Sequence, residues 1–282
     1  MAYNGKAIYN PSGKAGEYSY WACNFYNGCS NGCAYCYCKK GFLARTMGGN
    51  YPTLKKCFRD EEHAIKIFER DIEKNLYALR RQGLFFSFST DPMLDDTMDL
   101  TLLAVEKCIN NGIPVKILTK NADNPIFCFL GMLGELQHAG TKQRFFYIHR
   151  KKIAVGFTLT GHNELEKGTS TNKERITAMT KLHEAGYRTF ASIEPVIDFT
   201  SSLSMIQQTL GVCDLYKIGL ESGRRYPRKE ISNFFYKIKE INGVKIYWKD
   251  SVLNALGFDR GTLKFFGFKN VVGRNYNMFN QP

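Results

Sequence analysis

The chain is short of acidic residues: 26 Asp and Glu stand against 39 Lys and Arg, a net charge of +13 over 282 residues. That imbalance points to an anionic partner, nucleic acid being the commonest, although basic charge also serves solubility alone. Also missing is any apolar run near the roughly 18 residues that a membrane-spanning helix needs. The opening Met1-Ala2-Tyr3-Asn4-Gly5 has neither the charged nor the apolar region of a signal peptide, so the expectation is a soluble cytoplasmic protein without a membrane partner. There is no low-complexity tract and no linker long enough to separate domains. With 44% hydrophobic residues the chain has material for an ample core. A disulfide framework is not expected either, because the nine cysteines are an odd number. Three of them cluster, while Cys57, Cys108, Cys128 and Cys213 are scattered through apolar segments, the usual pattern of small buried hydrophobes in a reducing compartment.

What the chain does have is Cys29-Ser30-Asn31-Gly32-Cys33-Ala34-Tyr35-Cys36, three cysteines with an aromatic residue directly before the last. Three thiolates at this spacing on one tight loop hold three irons of a cubane cluster and leave the fourth iron open for a substrate or cofactor. An electron-transfer cluster or a closed zinc site normally takes four ligands. No histidine stands near the loop, and Cys38 follows Cys36 more closely than the ligand pairs of closed sites usually do. A structural zinc ribbon is the competing reading.

Beyond the loop, short apolar runs alternate with helical patterns. Strands are expected at 18–23, 84–88, 114–118, 153–157, 189–193 and 215–218. Ile65, Phe68, Ile72, Leu76 and Leu79 mark a helical stripe behind the acidic turn Asp60-Glu61-Glu62. Thr171 and Glu174 have the spacing of a capping box, and Asn110-Asn111-Gly112 ends another helix. Six strand–helix units imply a parallel sheet or barrel with right-handed crossovers, whose ligands sit at the carboxyl ends of the strands. The chain changes character after about Glu221, where a basic segment begins. The expected division is a core of 1–220 and a C-terminal extension of 221–282 packed on it.

The expected strand ends carry Ser89, Thr90 and Asp91 after the second, Lys120 after the third, Thr158 at the fourth and Glu194 before Pro195 at the fifth. Hydroxyls, a lysine and carboxylates at one rim suit the amino acid and ribose ends of a zwitterionic cofactor, with Lys120 on its carboxylate and Asp91 on a ribose hydroxyl or an amine. The competing reading makes Thr90, Asp91 and Asn121 helix caps. Glu194 reads as a substrate-facing acid or base, as a partner of the cofactor's amino group, or as one half of a salt bridge with a lysine of the barrel.

Cys29, Cys33 and Cys36, with Tyr35 before the third, resemble the signature of the radical S-adenosylmethionine (SAM) superfamily. Asn24 to Cys29, Gly32 to Tyr37, Phe86 to Pro92, Gly112 to Lys120 and Ser192 to Val196 resemble its spore photoproduct lyase-like group, related to DNA repair photolyases, and phage-associated members near it. The resemblance implies an α/β fold, a partial (β/α)6 barrel of TIM type, with the cluster loop after the first strand. It also implies a [4Fe-4S] cluster that binds SAM at its open iron and cleaves it, after one-electron reduction, to methionine and a 5′-deoxyadenosyl radical that abstracts hydrogen. By it, Tyr35, Ser89, Thr90, Asp91, Lys120, Thr158 and Glu194 are cofactor-side residues, and Tyr35, Tyr37 and Glu194 are catalytic candidates. The implied partners are an electron donor such as flavodoxin or ferredoxin and a DNA, RNA or nucleotide substrate. A departure stands at Phe88, where that group's lyase has a hydrogen-donating cysteine; phenylalanine has no thiol. Two other functions remain open: a catalytically silent iron–sulfur protein that binds nucleic acid or regulates, and radical modification of a peptide or small metabolite.

Overall fold

Among the described residues the chain forms ten strands: β1 (Ile8–Tyr9), β2 (Ala22–Cys23), β3 (Tyr26–Asn27), β4 (Thr53–Leu54), β5 (Leu84–Phe86), β6 (Val115–Thr119), β7 (Ile153–Thr158), β8 (Arg188–Val196), β9 (Leu215–Leu220) and β10 (Ile246–Trp248). These belong to a computed structural model that describes residues 3–131, 140–265, 270–274 and 276–280. Eight strands make one sheet in the order β1-β2-β5-β6-β7-β8-β9-β10, and β3 pairs with β4 in a second, two-stranded sheet. Within the eight-stranded sheet every pairing from β2 to β10 is parallel and only β1 runs antiparallel, against β2, while β3 and β4 pair antiparallel in the small sheet. The fold is thus α/β with a mostly parallel, unclosed sheet of the partial-barrel kind. It has one parallel strand more than the six expected, because Ile246–Trp248 adds β10 beyond β9.

Helices return the chain between strands. Glu61–Gln82 buries Ile65, Phe68, Ile72 and Leu79 and is capped by Asp60, whose side chain accepts from the His63 amide. Asn172–Glu184 opens with the capping box of Thr171 and Glu174.

The two faces of the sheet serve different cores. Phe86, Ile117, Val155, Ile193, Ile218 and Trp248 belong to the large cluster that also holds the buried helix residues. Their alternates Phe85, Ala154, Phe190, Leu215 and Tyr247 pack in a second cluster with Tyr18. The segment Glu17–Ser19 lies on that inner side. Lys116 of β6 reaches the Ser19 hydroxyl at 3.2 Å, and Lys217 of β9 donates to the carbonyls of Glu17 and Tyr18 at 2.8 and 2.9 Å. The Tyr18 hydroxyl lies 2.5 Å from that of Ser192 on β8. One segment touching three strands in this way requires a curved sheet. It also explains why the first expected strand shortens to Ala22–Cys23: Tyr18 is packed inside instead of paired. Gly156 is needed on β7, since a Cβ there would stand 2.3 Å from the Phe190 ring.

Candidate active site

A cavity of about 580 Å³ opens at the carboxyl ends of the parallel strands. The cluster loop after β2, Ser87–Asp91 after β5, Thr119 and Lys120, Thr158, Glu194, Leu220 and Lys249 after β10 all reach it. This is where parallel α/β folds place their ligands, because loops from every strand converge at that end.

The cluster loop is fixed from two sides. Gly28 has φ +83° and approaches the Tyr51 carbonyl so closely that a Cβ would stand 2.3 Å from it, and the Cys29 amide donates to the Gly49 carbonyl at 3.1 Å. Across the loop, the Ala34 amide donates to the Leu165 carbonyl at 2.9 Å and the Gly168 amide to that of Asn31 at 3.2 Å. Cys29, Cys33 and Cys36 all line the cavity, as does Cys38. Burial pushes the Cys29 thiol up to about 11 and raises that of Cys33, against the pull of Lys120. The Cys36 thiol is lowered to about 6, chiefly by a hydrogen bond from Cys38, whose own thiol is raised. Among the described residues, no three His, Cys, Asp or Glu side chains converge on a point fit for a single metal ion. A cubane asks for one thiolate per iron corner rather than for convergence, and three soft donors around one open cavity suit it.

Asp91 is buried and ties the loop to the strand ends. Its Oδ1 accepts from the Thr119 hydroxyl at 2.6 Å and the Met93 amide at 3.0 Å, its Oδ2 from the Asn31 side chain and the Lys120 amide, both at 2.8 Å. Four donors fill a carboxylate, so Asp91 acts here as a strut. The Ser89 hydroxyl donates to the Tyr26 carbonyl. Of the three suggested caps only Asn121 behaves as one, accepting from the Asn124 amide at 2.9 Å; the helix Asp95–Asn110 begins beyond Thr90 and Asp91.

Thr90 and Lys120 are left for a ligand among the described residues of this part of the wall. Thr90 lines the cavity, and its hydroxyl is buried without a hydrogen-bond partner; such a group is costly unless something pairs with it. Lys120 also lines the cavity, with its ammonium 5.6 Å from the centre of the Tyr35 ring. Burial opposes its charge, but Cys33, Glu166 and Asp91 prevail and raise its pKa. Thr158 is buried at the same wall, its carbonyl accepting from Arg175 at 2.6 Å.

Tyr35 donates to Glu166, whose other oxygen pairs with Arg175 at 2.8 Å and accepts from the Thr160 hydroxyl at 3.2 Å. Tyr37, 48% exposed at the cavity mouth, donates to the Phe88 carbonyl. Phe88 stacks on Phe85 with ring centroids 4.5 Å apart. The Cys38 thiol, which also lines the cavity, lies 3.7 Å from the Phe88 carbonyl.

Glu194 forms the salt bridge with a barrel lysine that was one of its three readings. Lys249, 1% exposed, reaches its Oε2 at 2.5 Å, and the Tyr18 hydroxyl donates to the same oxygen at 2.8 Å. Tyr18, Ser192, Glu194 and Lys249 thus form a polar wall of the cavity lined also by the cysteines. Tyr18, Lys249, Glu166, Arg175 and Asn31 were not anticipated from sequence. Lys249 had a signal, since Ile246-Tyr247-Trp248-Lys249 repeats the pattern of an apolar run ending in lysine seen at Leu118-Thr119-Lys120. Glu166 and Arg175 had none.

The profile of the radical SAM superfamily matches residues 23–213. No curated protein matches the sequence significantly. Among solved structures, spore photoproduct lyase complexed with dinucleoside spore photoproduct is similar at 16% identity and a TM-score of 0.57, over 85% of this chain and 79% of that one. Streptococcus suis SuiB bound to S-adenosylmethionine is similar at 12% identity and a TM-score of 0.50, over 83% of this chain and 51% of that one. At such identities the likeness is one of fold.

Proposed function

The chain belongs to the radical SAM superfamily, whose members use a [4Fe-4S] cluster and SAM, and on that ground we propose that it is an enzyme acting on a nucleic acid or nucleotide by hydrogen abstraction. One observation carries the reading: three cysteines, a threonine whose buried hydroxyl has no protein partner and a lysine line one cavity. When bound, cluster and SAM together supply a 5′-deoxyadenosyl radical after one electron arrives from a donor such as flavodoxin or ferredoxin.

The chain's own residues do the rest. Cys29, Cys33 and Cys36 would hold the cluster as thiolates. Lys120 would pair with the carboxylate of SAM by a charge-assisted hydrogen bond, and Thr90 would give its free hydroxyl to the same ligand. Asp91 keeps the loop at a fixed distance from β6. The Glu194–Lys249–Tyr18 group offers an acceptor and a donor side by side to whatever shares the cavity.

The net charge of +13 supports an anionic substrate. So does the fold shared with a lyase whose structure holds a dinucleoside.

The test is anaerobic reconstitution with iron and sulfide, then SAM and dithionite, with 5′-deoxyadenosine read by chromatography and Cys33→Ala as control. Deoxyadenosine only from the intact protein, increased by DNA, RNA or nucleotide, is the expected result. A reconstituted cluster that neither binds nor cleaves SAM overturns it in favour of a silent binding protein.

A further inference from the structure

From Tyr18 to Arg59 the sequence contains no Asp or Glu, yet it carries Lys39, Lys40, Arg45, Lys55, Lys56 and Arg59. In the middle of this stretch, residues 37–51 leave the cluster loop and run along the cavity mouth, where Tyr37, Lys39, Lys40, Leu43 and Met47 belong to its lining. The helix Leu43–Met47 buries none of its residues. Phe42 and Tyr51 flank it at 77% and 75% exposure, and Phe42 is the most exposed large hydrophobic among the described residues. Two exposed rings flanking one short helix, with Leu43 and Met47 between them, make an apolar patch of the kind that marks an interaction site.

The cations here are available to a stronger anion. Lys40 reaches across to Glu221 at 2.9 Å with half of its side chain still exposed, and Lys39 donates to the Asn50 side chain at 2.8 Å. Exposed pairs of this kind are weak and exchange readily with phosphate. Rings interleaved with cations are the elements that bind single-stranded nucleic acid: bases stack on the rings, and the cations follow the backbone. Within the helix the Thr46 hydroxyl is engaged locally, donating to the Leu43 carbonyl. Leu43 and Met47 have no hydrogen-bonding group for a 2′-hydroxyl, which favours DNA over RNA.

We propose that residues 37–51 are a docking surface for single-stranded or locally unstacked DNA. Phe42 and Tyr51 stack on bases flanking the one that enters the cavity, and Lys39, Lys40 and Arg45 contact the phosphates. The proposal rests on the nucleic-acid reading of the cavity but is measured without turnover.

Anisotropy of a fluorescein-labelled 15-mer of dT, titrated with the full chain over a salt series, is the test. Its comparison arms are a U 15-mer, a 15-base-pair duplex and a poly-glutamate peptide. The dT strand is expected to bind tightest. Phe42→Ala with Tyr51→Ala should weaken it at least about tenfold, while Lys39→Met and Arg45→Met each flatten the salt slope by about 0.7. Phe42→Trp guards against misfolding of the double variant, since its added indole fluorescence should be quenched by dT. An unquenched indole, an unchanged affinity in the double variant, or tighter binding of RNA, duplex or acidic peptide overturns the proposal. Binding of dT through this surface without deoxyadenosine production would leave the docking surface standing and remove the enzymatic reading; deoxyadenosine without dT binding would do the reverse.

Discussion

The phenol of Tyr35, set between two of the cluster-loop cysteines, donates to Glu166, a residue 131 positions away that is itself paired with fully buried Arg175. The loop is therefore held by a charged network beneath it as well as by its own glycines. A buried ion pair of this kind stabilises little relative to apolar packing, but losing one partner leaves an uncompensated charge.

Arg175→Met should lower stability by about 3–5 kcal/mol, read as a fall in the urea midpoint. Adding Glu166→Gln should recover part of the loss, because the stranded carboxylate is removed. Independent, additive losses in the double variant would show that the two side chains are not coupled.

Cys29→Ala, Cys33→Ala and Cys36→Ala should each abolish the broad absorbance of the reconstituted protein and its deoxyadenosine production. Cys38→Ala should keep both, although Cys38 lines the same cavity. Loss of bound iron in Cys38→Ala would make Cys38 a ligand and remove the open corner on which SAM binding depends.

Thr90→Val fills nearly the same volume and removes the hydroxyl that has no protein partner. Stability should hold or rise slightly, since an unpaired buried polar group disappears. The affinity of the reconstituted protein for SAM should fall about three- to tenfold, and Lys120→Met should cost more because its bond is charge-assisted. Equilibrium binding of SAM decides; unaltered affinity in both variants would place the ligand elsewhere in the cavity.

His162 links two strand-end loops, with Nδ1 2.6 Å from Glu164 and Nε2 2.5 Å from Asp198. Burial lowers its pKa, but hydrogen bonds to Asp198 and Glu164 outweigh that and raise it from the usual histidine range. Asp198 is lowered to about 2: burial opposes the charge, and the Ser201 amide and His162 overcome it. A raised histidine stabilises below its unfolded pKa of about 6.5 and loses that contribution as pH rises through the folded value. A lowered aspartate stabilises above about 3.9 and loses its contribution as pH falls toward 2. The advantage of the wild type over His162→Asn should therefore be largest near pH 5 and shrink above pH 7, worth about 0.5–1 kcal/mol for so exposed a pair. Melting temperatures of the two proteins across this range measure it.

The sequence by itself determined what is local. Three thiols on one loop need no distant partner to declare themselves, and Thr171 with Glu174 forms its capping box within a single turn. The positions of Lys120, Thr158 and Glu194 followed from the rule that loops at carboxyl strand ends converge. Tertiary structure alone decided what crosses the chain. Both faces of the sheet are apolar, so no alternation distinguishes Phe85, facing inward to Tyr18, from Phe86, facing outward to the helices. β10 lies in the basic segment after Glu221, beyond the six expected strands, and with it Lys249 escaped notice. Whether Asp91 would meet a ligand or brace the loop depended on Asn31 and Thr119 arriving from 60 and 28 positions away. Bonds of that length are set by how the strands stack and curve, a property of the whole chain that no window of residues contains.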